Sequence, residues 1–237
     1  MQNITLEYPE STAPDTQHRS DSAQFAAYVA DPAFPCVGAR SALNRGRMEF
    51  GSYSKLGDAG SARALCNDLT TFSQKYGSPG SEPVSFVAMF DQTFADEAGF
   101  VDGLWRHLQA LHEVDRYQHA WDASVSADPA SESFSFSIAG RAFFVVGLCP
   151  QSSRLARRAP FPCLVFNFHD QFGSLKESGK YTGMQKVIRG RDIALQGFVN
   201  ASLTTFGEAS EARQYAGNAT ASDWVCPFEP VKAGHAD

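Results

Sequence analysis

The strongest constraint on the fold comes from a group of strand-like segments in the second half of the chain. Residues 134–148 (FSFSIAGRAFFVVGL) begin with apolar side chains that alternate with serine, which is the pattern of a half-buried strand. Gly140 permits a tight turn, and the segment after it is apolar on both faces, as expected of a central strand. Residues 163–168 (CLVFNF) are typical of another buried strand. These segments predict a sheet in which antiparallel strands are common.

Helical periodicity explains most of the remaining regular structure. Apolar residues recur at three-to-four spacing in residues 61–76 and most strongly in residues 96–115. The sequence predicts helices at residues 21–30, 61–76, 96–115, 170–179 and 182–196, with Asp21 and Asp170 as N-caps, and another buried strand at residues 84–90. We therefore expect an α+β fold: a single domain whose central sheet, mostly antiparallel or mixed, has about four strands packed with helices.

Length and composition favour one globular domain. The 237 residues are 43% hydrophobic and 19% charged, with a net charge of -6. We expect a flexible arm at residues 1–20, a domain at residues 21–228 and a tail at residues 229–237. Basic residues form no long stripe for nucleic acid, and the apolar runs are too short to cross a membrane. With no visible secretory signal, the chain is predicted to be cytoplasmic, with five reduced cysteines and no structural zinc.

Collinear blocks between Phe34 and Phe228 give the chain a family resemblance. The blocks are FPCVGA, SFVAMF, LWRHLQALHEVD, FSFSIAGRAFFVVGL, SSRLARRAPFPCLVFNFHDQF, IRGRDIALQG, GEASEARQYAG and WVCPF. In these blocks the chain resembles the YqcI/YcgG (GntA-like) family. Its characterised members are haem-dependent N-hydroxylases of guanidine groups, acting on L-arginine or on a cyclic guanidine precursor in natural-product pathways. The resemblance implies haem b as cofactor and a monooxygenase that hydroxylates a guanidine nitrogen in specialised metabolism.

Two departures from the family pattern bear on the reaction. The block after VVGL begins with His-Pro in the family, whereas this chain has Cys149 and Pro150. The family pattern NPML corresponds to residues 200–203, which read NASL here. These changes leave alternatives open: a related haem enzyme with an altered substrate or reaction, such as a peroxygenase or another amine oxidase, a haem-binding protein without turnover, or a protein that binds no haem.

Three residues are alternative axial ligands for the haem iron that the resemblance implies. Cys36 follows a proline at the start of a helical segment, where we expect a lowered thiol pKa, and a thiolate favours cleavage of the oxygen–oxygen bond. Cys149 ends a buried strand, so we expect its side chain at the sheet edge. His169 ends CLVFNF and is either a ligand or a distal hydrogen-bond donor in catalysis, with Asn167 and Gln171 placed to orient it. For each candidate ligand the alternative is a structural role in the core or at its edge.

The other cysteines and histidines carry weaker signals. Their spacing matches no metal-ligand pattern. We expect structural roles for Cys66, Cys163 and Cys226, and solvated or edge positions for His107, His112 and His119.

Arginines form the candidate contacts to the cofactor. Arg154, Arg157 and Arg158 are clustered, and their planar guanidinium groups suit the two propionates of haem. The alternative is a surface network of salt bridges. Arg189 and Arg191 point in different directions on a helix, so one of them at most is expected to face a propionate.

Acidic residues form the candidate substrate site. Glu208 and Glu211 are three residues apart and would share a helix face, where two carboxylates could hold a guanidinium group. Equally, they could be acids that favour a helix N-terminus. Gln214 would complete the polar network beside them.

The implied reaction also requires partners. Dioxygen and a small-molecule substrate would enter the site, and electrons would come from outside because the chain has no GxGxxG dinucleotide fingerprint. Ferredoxin with its reductase, or peroxide, would supply them. Exposed strand edges would be covered by loops or by formation of a homodimer.

Overall fold

Five strands form one sheet, and helices cover both of its faces. The structure is a computed structural model that describes residues 13–77, 80, 82–198 and 209–231. Its elements are α1 (Ala13–Ala30), α2 (Val37–Asn44), β1 (Met48–Tyr53), α3 (Ala59–Lys75), β2 (Ser85–Phe90), α4 (Glu97–Asp115), β3 (Phe136–Ile138), β4 (Arg141–Leu148), β5 (Cys163–Phe168), α5 (His169–Glu177), α6 (Lys180–Gln196) and α7 (Ala212–Tyr215). A short 3-10 turn, Leu155–Arg157, lies between β4 and β5.

The strands follow the order β1-β2-β5-β4-β3. β1 and β2 are parallel and are joined by α3, whereas every other neighbouring pair is antiparallel. The predicted single-domain α+β fold with a mixed sheet is therefore confirmed, with a strand count close to the expected four. The additional strand is β1, which the sequence analysis missed because its parallel partner lies beyond a whole helix and leaves no local signature.

Aspartate caps set the starts of the two helices predicted best. Asp58 Oδ2 accepts a hydrogen bond from the backbone N–H of Ser61 at 2.8 Å, so α3 begins at Ala59. Asp96 Oδ1 accepts one from the N–H of Gly99 at 2.8 Å, so α4 begins directly after it. These caps agree with the predicted helices at residues 61–76 and 96–115.

Two predicted helix starts were wrong. α5 begins at His169 without a side-chain cap, because β5 runs straight into it. Asp170 therefore lies in its first turn, where its carboxylate accepts a hydrogen bond from Arg141 at 2.7 Å. α1 begins at Ala13, so Asp21 lies within it, and the predicted arm overlaps its first turns. Residues 1–12 lie outside the described residues.

α3 and α4 pack tightly against one face of the sheet, which we call the packed face. Its core includes the fully buried side chains of Leu65, Leu69, Phe72, Phe100, Leu104, Leu108, Val145, Phe166 and Phe168. Gly147 of β4 meets α4 here, because a Cβ on this residue would lie 2.4 Å from Leu104 Cδ1. The glycine lets the helix approach the strand closely.

His107 and His112 of α4 are buried in this core, so the prediction of solvated or edge positions was wrong for both. Burial lowers the pKa of His107 to about 4, and its Nδ1 accepts a hydrogen bond from the N–H of Gly57 at 3.0 Å. His112 Nε2 accepts one from the N–H of Val231 at 3.1 Å, and burial also lowers its pKa. Each ring binds a loop backbone to the helix. His119, by contrast, is partly exposed.

The opposite face of the sheet, which we call the cavity face, is covered by α1, α2, α5 and α6. A smaller core forms there around Phe25 and Val29 of α1 and Val165 of β5. The hydroxyl of Tyr28 donates to the carbonyl of Ala156 at 2.7 Å and ties α1 to the 3-10 turn. The helices of this face do not fill all the space above the sheet.

Candidate functional site

A cavity of about 300 Å³ lies between the sheet and the helices of the cavity face. Its floor comprises Met48, Ser85, Phe144, Val146, Leu148, Val165 and Asn167. Its walls are formed by α1, α2, α5, α6 and the loop between α1 and α2, and they include Phe25, Phe34, Ala39, Phe172, Leu175, Tyr181, Met184 and Ile188. Most of this lining is apolar. The few polar groups that reach the cavity therefore decide what it can bind.

Cys36 places a thiol in the cavity wall. It is the N-cap of α2, and its Sγ accepts a hydrogen bond from the N–H of Ala39 at 3.4 Å. Burial raises the pKa of Cys36, although the N–H groups of Ala39 and Gly38 act in the opposite direction. The prediction that the pKa of Cys36 is lowered was wrong, because the effect of desolvation is larger than the opposing effect of the backbone N–H groups at the helix N-terminus. A bound metal ion would still deprotonate the thiol.

Arg154 and Asp192 form a buried ion pair beside the cavity. Arg154 Nη2 donates to Asp192 Oδ2 at 2.8 Å, and both residues line the cavity. Arg154 Nε and Asp192 Oδ1 are also buried, and neither has a hydrogen-bond partner among the described residues. This pair therefore keeps one donor and one acceptor for a polar ligand.

Arg157 supplies a second buried guanidinium group. It donates to the carbonyls of Gly147 at 2.9 Å, Tyr215 at 3.2 Å and Gln214 at 3.1 Å. Within the described residues it forms no ion pair with a carboxylate. Burial, and then the charge of Arg154, lower its pKa to about 10, so it stays protonated at neutral pH. One side of the cavity is therefore positively charged.

Glu211 brings a fixed carboxylate to another part of the wall. Its Oε2 accepts from the hydroxyls of Ser135 at 2.9 Å and Tyr215 at 3.3 Å, and its Oε1 lies 3.0 Å from His169 Nδ1. Glu211 is only 3% exposed, and both it and Gln214 line the cavity. Its predicted neighbour Glu208 lies outside the described residues.

Asn167 and Gln171 line the cavity but do not orient His169. Asn167 accepts from the hydroxyl of Ser85 at 2.7 Å and donates to a β4 carbonyl. The side-chain amide of Gln171 makes two hydrogen bonds with the backbone of Val84. That part of the prediction was wrong, because the described contact to His169 Nδ1 comes from Glu211.

Three candidates lie away from the described lining of the cavity. Cys149 is fully buried in the packed face rather than at the sheet edge, and its Sγ lies 3.5 Å from Ser152 Oγ. Arg158 is exposed and donates to the carbonyl of Ser152 at 2.7 Å. His169 is partly exposed beside Glu211. Of the two cysteines considered as iron ligands, Cys36 lines the cavity and Cys149 does not.

Asp192 is the site residue that sequence reasoning passed over. It lies four residues after Ile188 and eight after Met184, and all three line the cavity. This i, i+4, i+8 spacing places an aspartate in an otherwise apolar helical stripe, and that signal was available in the sequence.

Metal-binding clusters and membrane-spanning helices are both absent from the described residues. No group of three or more His, Cys, Asp and Glu side chains is arranged there to hold a metal ion. None of the described helices has the length and apolar character needed to cross a membrane.

The fold and the cavity together define a single-domain α+β protein that encloses a largely apolar cavity. A thiol, two carboxylates and three guanidinium groups, those of Arg154, Arg157 and Arg189, lie in its wall. The model of the YqcI/YcgG family matches residues 25–229, and the chain belongs to this family. No curated protein and no solved structure matches the chain.

Proposed function

We propose that this protein is a haem-dependent monooxygenase that hydroxylates a nitrogen of a guanidine-type small molecule, L-arginine or a relative of it. The observation that carries the proposal is the composition of the cavity wall. One apolar space is lined by a thiol, by buried cations and by buried carboxylates. Each of these groups has a role in binding either haem or a cationic substrate.

The residues around the cavity fit haem in three respects. Apolar side chains suit the porphyrin faces, and Cys36 would be the axial ligand of the iron. Arg154 and Arg157 would bind the propionates, since Arg154 Nε is buried without a partner among the described residues. When bound, the cofactor supplies the activation of dioxygen, while the protein positions the substrate and tunes the ligand.

The carboxylates favour a substrate with a guanidinium group. Glu211 is held by Ser135, Tyr215 and His169, so its carboxylate is fixed in position before the substrate arrives. A guanidinium group forms paired, charge-assisted hydrogen bonds with such a carboxylate. Asp192 Oδ1 offers a second acceptor. The apolar lining would exclude water, which strengthens these contacts.

The first test is the absorption spectrum of the haem-supplemented protein, reduced under carbon monoxide. We compare the wild type with Cys36→Ala, Cys149→Ala and His169→Ala. A long-wavelength band of the thiolate type should disappear in Cys36→Ala alone. A histidine-type band that is lost only in His169→Ala would contradict the thiolate assignment. A wild type without a Soret band would remove the haem proposal.

The second test concerns the substrate. The variant Glu211→Gln should weaken the spectral response to L-arginine or another guanidine by at least about tenfold, because a charge-assisted pair is lost. Its carbon monoxide spectrum should be unchanged. Mass spectrometry would identify the N-hydroxylated product. Haem binding with no response to any guanidine would instead indicate a carrier or sensor.

A further inference from the structure

A basic cleft lies on the outer side of the cavity wall, between α2 and α6. It has a volume of about 340 Å³ and is lined by Val37, Arg40, Ser41, Asn44, Arg45 and Arg191. Three arginines and no carboxylate therefore line it, although the whole chain has a net charge of -6. Arg45 is partly neutralised by Glu82 at 3.2 Å. No ion pair to a described carboxylate is found for Arg40 or Arg191.

The cleft and the cavity share one short stretch of chain. Phe34 and Cys36 line the cavity, while Val37 lines the cleft. Arg191 Nη1 donates to the carbonyl of Phe34 at 3.4 Å, so an arginine of the cleft is hydrogen-bonded to a residue of the cavity wall. A protein bound in the cleft would therefore lie close to the thiol of Cys36.

We propose that this cleft is the docking surface for an acidic electron-donor protein of the iron–sulfur type. The inference rests on the proposed function, and it adds the partner and its place on the molecule. In the proposed reaction, a substrate N–H, dioxygen, two electrons and two protons give N–OH and water. An O–O bond and an N–H bond break as an N–O bond forms. The two electrons must come from an external donor, because the chain has no dinucleotide fingerprint.

Charge decides which partner fits. Complementary charges accelerate the encounter of two proteins, and arginine binds carboxylates in a bidentate manner. A small acidic protein would meet the arginines of the cleft, while the negative net charge of the chain would repel a long polyanion such as nucleic acid elsewhere. The position behind the cavity wall suits electron delivery, which nucleic acid would not provide.

The test uses the haem-loaded protein and an acidic [2Fe–2S] ferredoxin as the probe. In Arg40→Glu, haem reduction by ferredoxin at low ionic strength should be at least about tenfold slower than in the wild type. High salt should slow the wild type toward the rate of the variant, because salt screens the attraction. Reduction by dithionite and the carbon monoxide spectrum should not change. The rate of haem reduction by ferredoxin in Arg40→Gln should lie between the rates of the wild type and Arg40→Glu.

Lys186→Glu is the matched control. Lys186 is an exposed residue of the same helix as Arg191, but lies about 140° around it. This substitution changes the net charge equally and should alter the rate less than about twofold. Equal slowing by Arg40→Glu and Lys186→Glu, or no slowing by either, would overturn the proposal.

Calorimetry separates this inference from the proposed function. Ferredoxin is titrated into the chain without added haem, and Arg40→Glu should weaken binding about tenfold. If the wild type forms no Soret band, the proposed function fails, and this titration alone decides whether an acidic protein docks here. Binding of an oligonucleotide or of inorganic phosphate at the cleft, without binding of ferredoxin, would also overturn the inference.

Discussion

The two faces of the sheet are built from the same strands but are packed to different extents. Val145 and Val146 are neighbours on β4: Val145 is fully buried beneath α4, and Val146 lines the cavity. On the packed face, aromatic and leucine side chains fill the space up to the strand backbone. On the cavity face, the helices leave about 300 Å³. Neighbouring side chains of one strand can therefore close a tightly packed core on one face and border a cavity on the other.

The largest expected difference between the two faces is in the loss of stability when one leucine on each face is replaced by alanine. Leu104→Ala, on the packed face, should lower the free energy of unfolding by about 4 kcal/mol, because a fully buried side chain leaves a new void. Leu175→Ala should cost only about 1.5 kcal/mol, because its side chain already borders empty space. Urea unfolding followed by tryptophan fluorescence measures both. Equal losses would show that the faces are packed alike.

The stability of the packed face should also depend on pH, because it contains a buried histidine. His107 has a pKa of about 4 in the folded packed face, against an ordinary value of 6.5, so the unfolded chain binds its proton first as pH falls. The stability from neutral His107 is present above pH 6.5 and is lost toward pH 4, by about 3 kcal/mol in total.

His107→Asn is the control for that prediction. The asparagine amide oxygen can still accept the hydrogen bond from Gly57, but it does not titrate. Between pH 7 and pH 4.5 the wild type should lose about 2 kcal/mol more stability than the variant. Parallel losses in the two proteins would assign the acid sensitivity to other groups, such as His112 or carboxylates.

Substitutions of two glycines, one on each face, have expected effects of opposite sign, and that of Gly38 is the smallest. Gly147→Ala should destabilise the fold by about 2 kcal/mol, because its Cβ would lie 2.4 Å from Leu104 Cδ1. Gly38→Ala, in α2, should stabilise it by about 0.5 kcal/mol, because its Cβ would meet only Cys36 Sγ at 3.8 Å and Met184 Sδ at 3.9 Å. Thermal unfolding of both variants tests the signs.

Local patterns predicted much of the fold. The strand at residues 163–168 and the helix at residues 96–115 agree closely with β5 and α4, because burial imposes a clear period on each. β1 escaped detection because its pairing with β2 is parallel and non-local. The start of α5 was misplaced because a strand passes into a helix there without a capping residue.

The candidate site was less predictable, since its contacts join distant residues. Arg154 meets Asp192, and His169 meets Glu211, across 38 and 42 positions of the sequence respectively. No spacing rule encodes such pairs. The sequence also offered Cys36 and Cys149 equally as ligands of the haem iron. Only the three-dimensional structure places them on opposite faces of the sheet.

The hydrogen bonds of Gln171 have a consequence for measuring motion at the cavity. Its amide oxygen accepts the N–H of Val84 at 2.7 Å, and its amide nitrogen donates to the carbonyl of the same residue at 3.0 Å. A side chain of α5 thus takes the place of a neighbouring strand. We expect the amide proton of Val84 to exchange with solvent when α5 leaves the sheet or the whole domain unfolds. Its exchange rate therefore reports the free energy of opening one cavity wall.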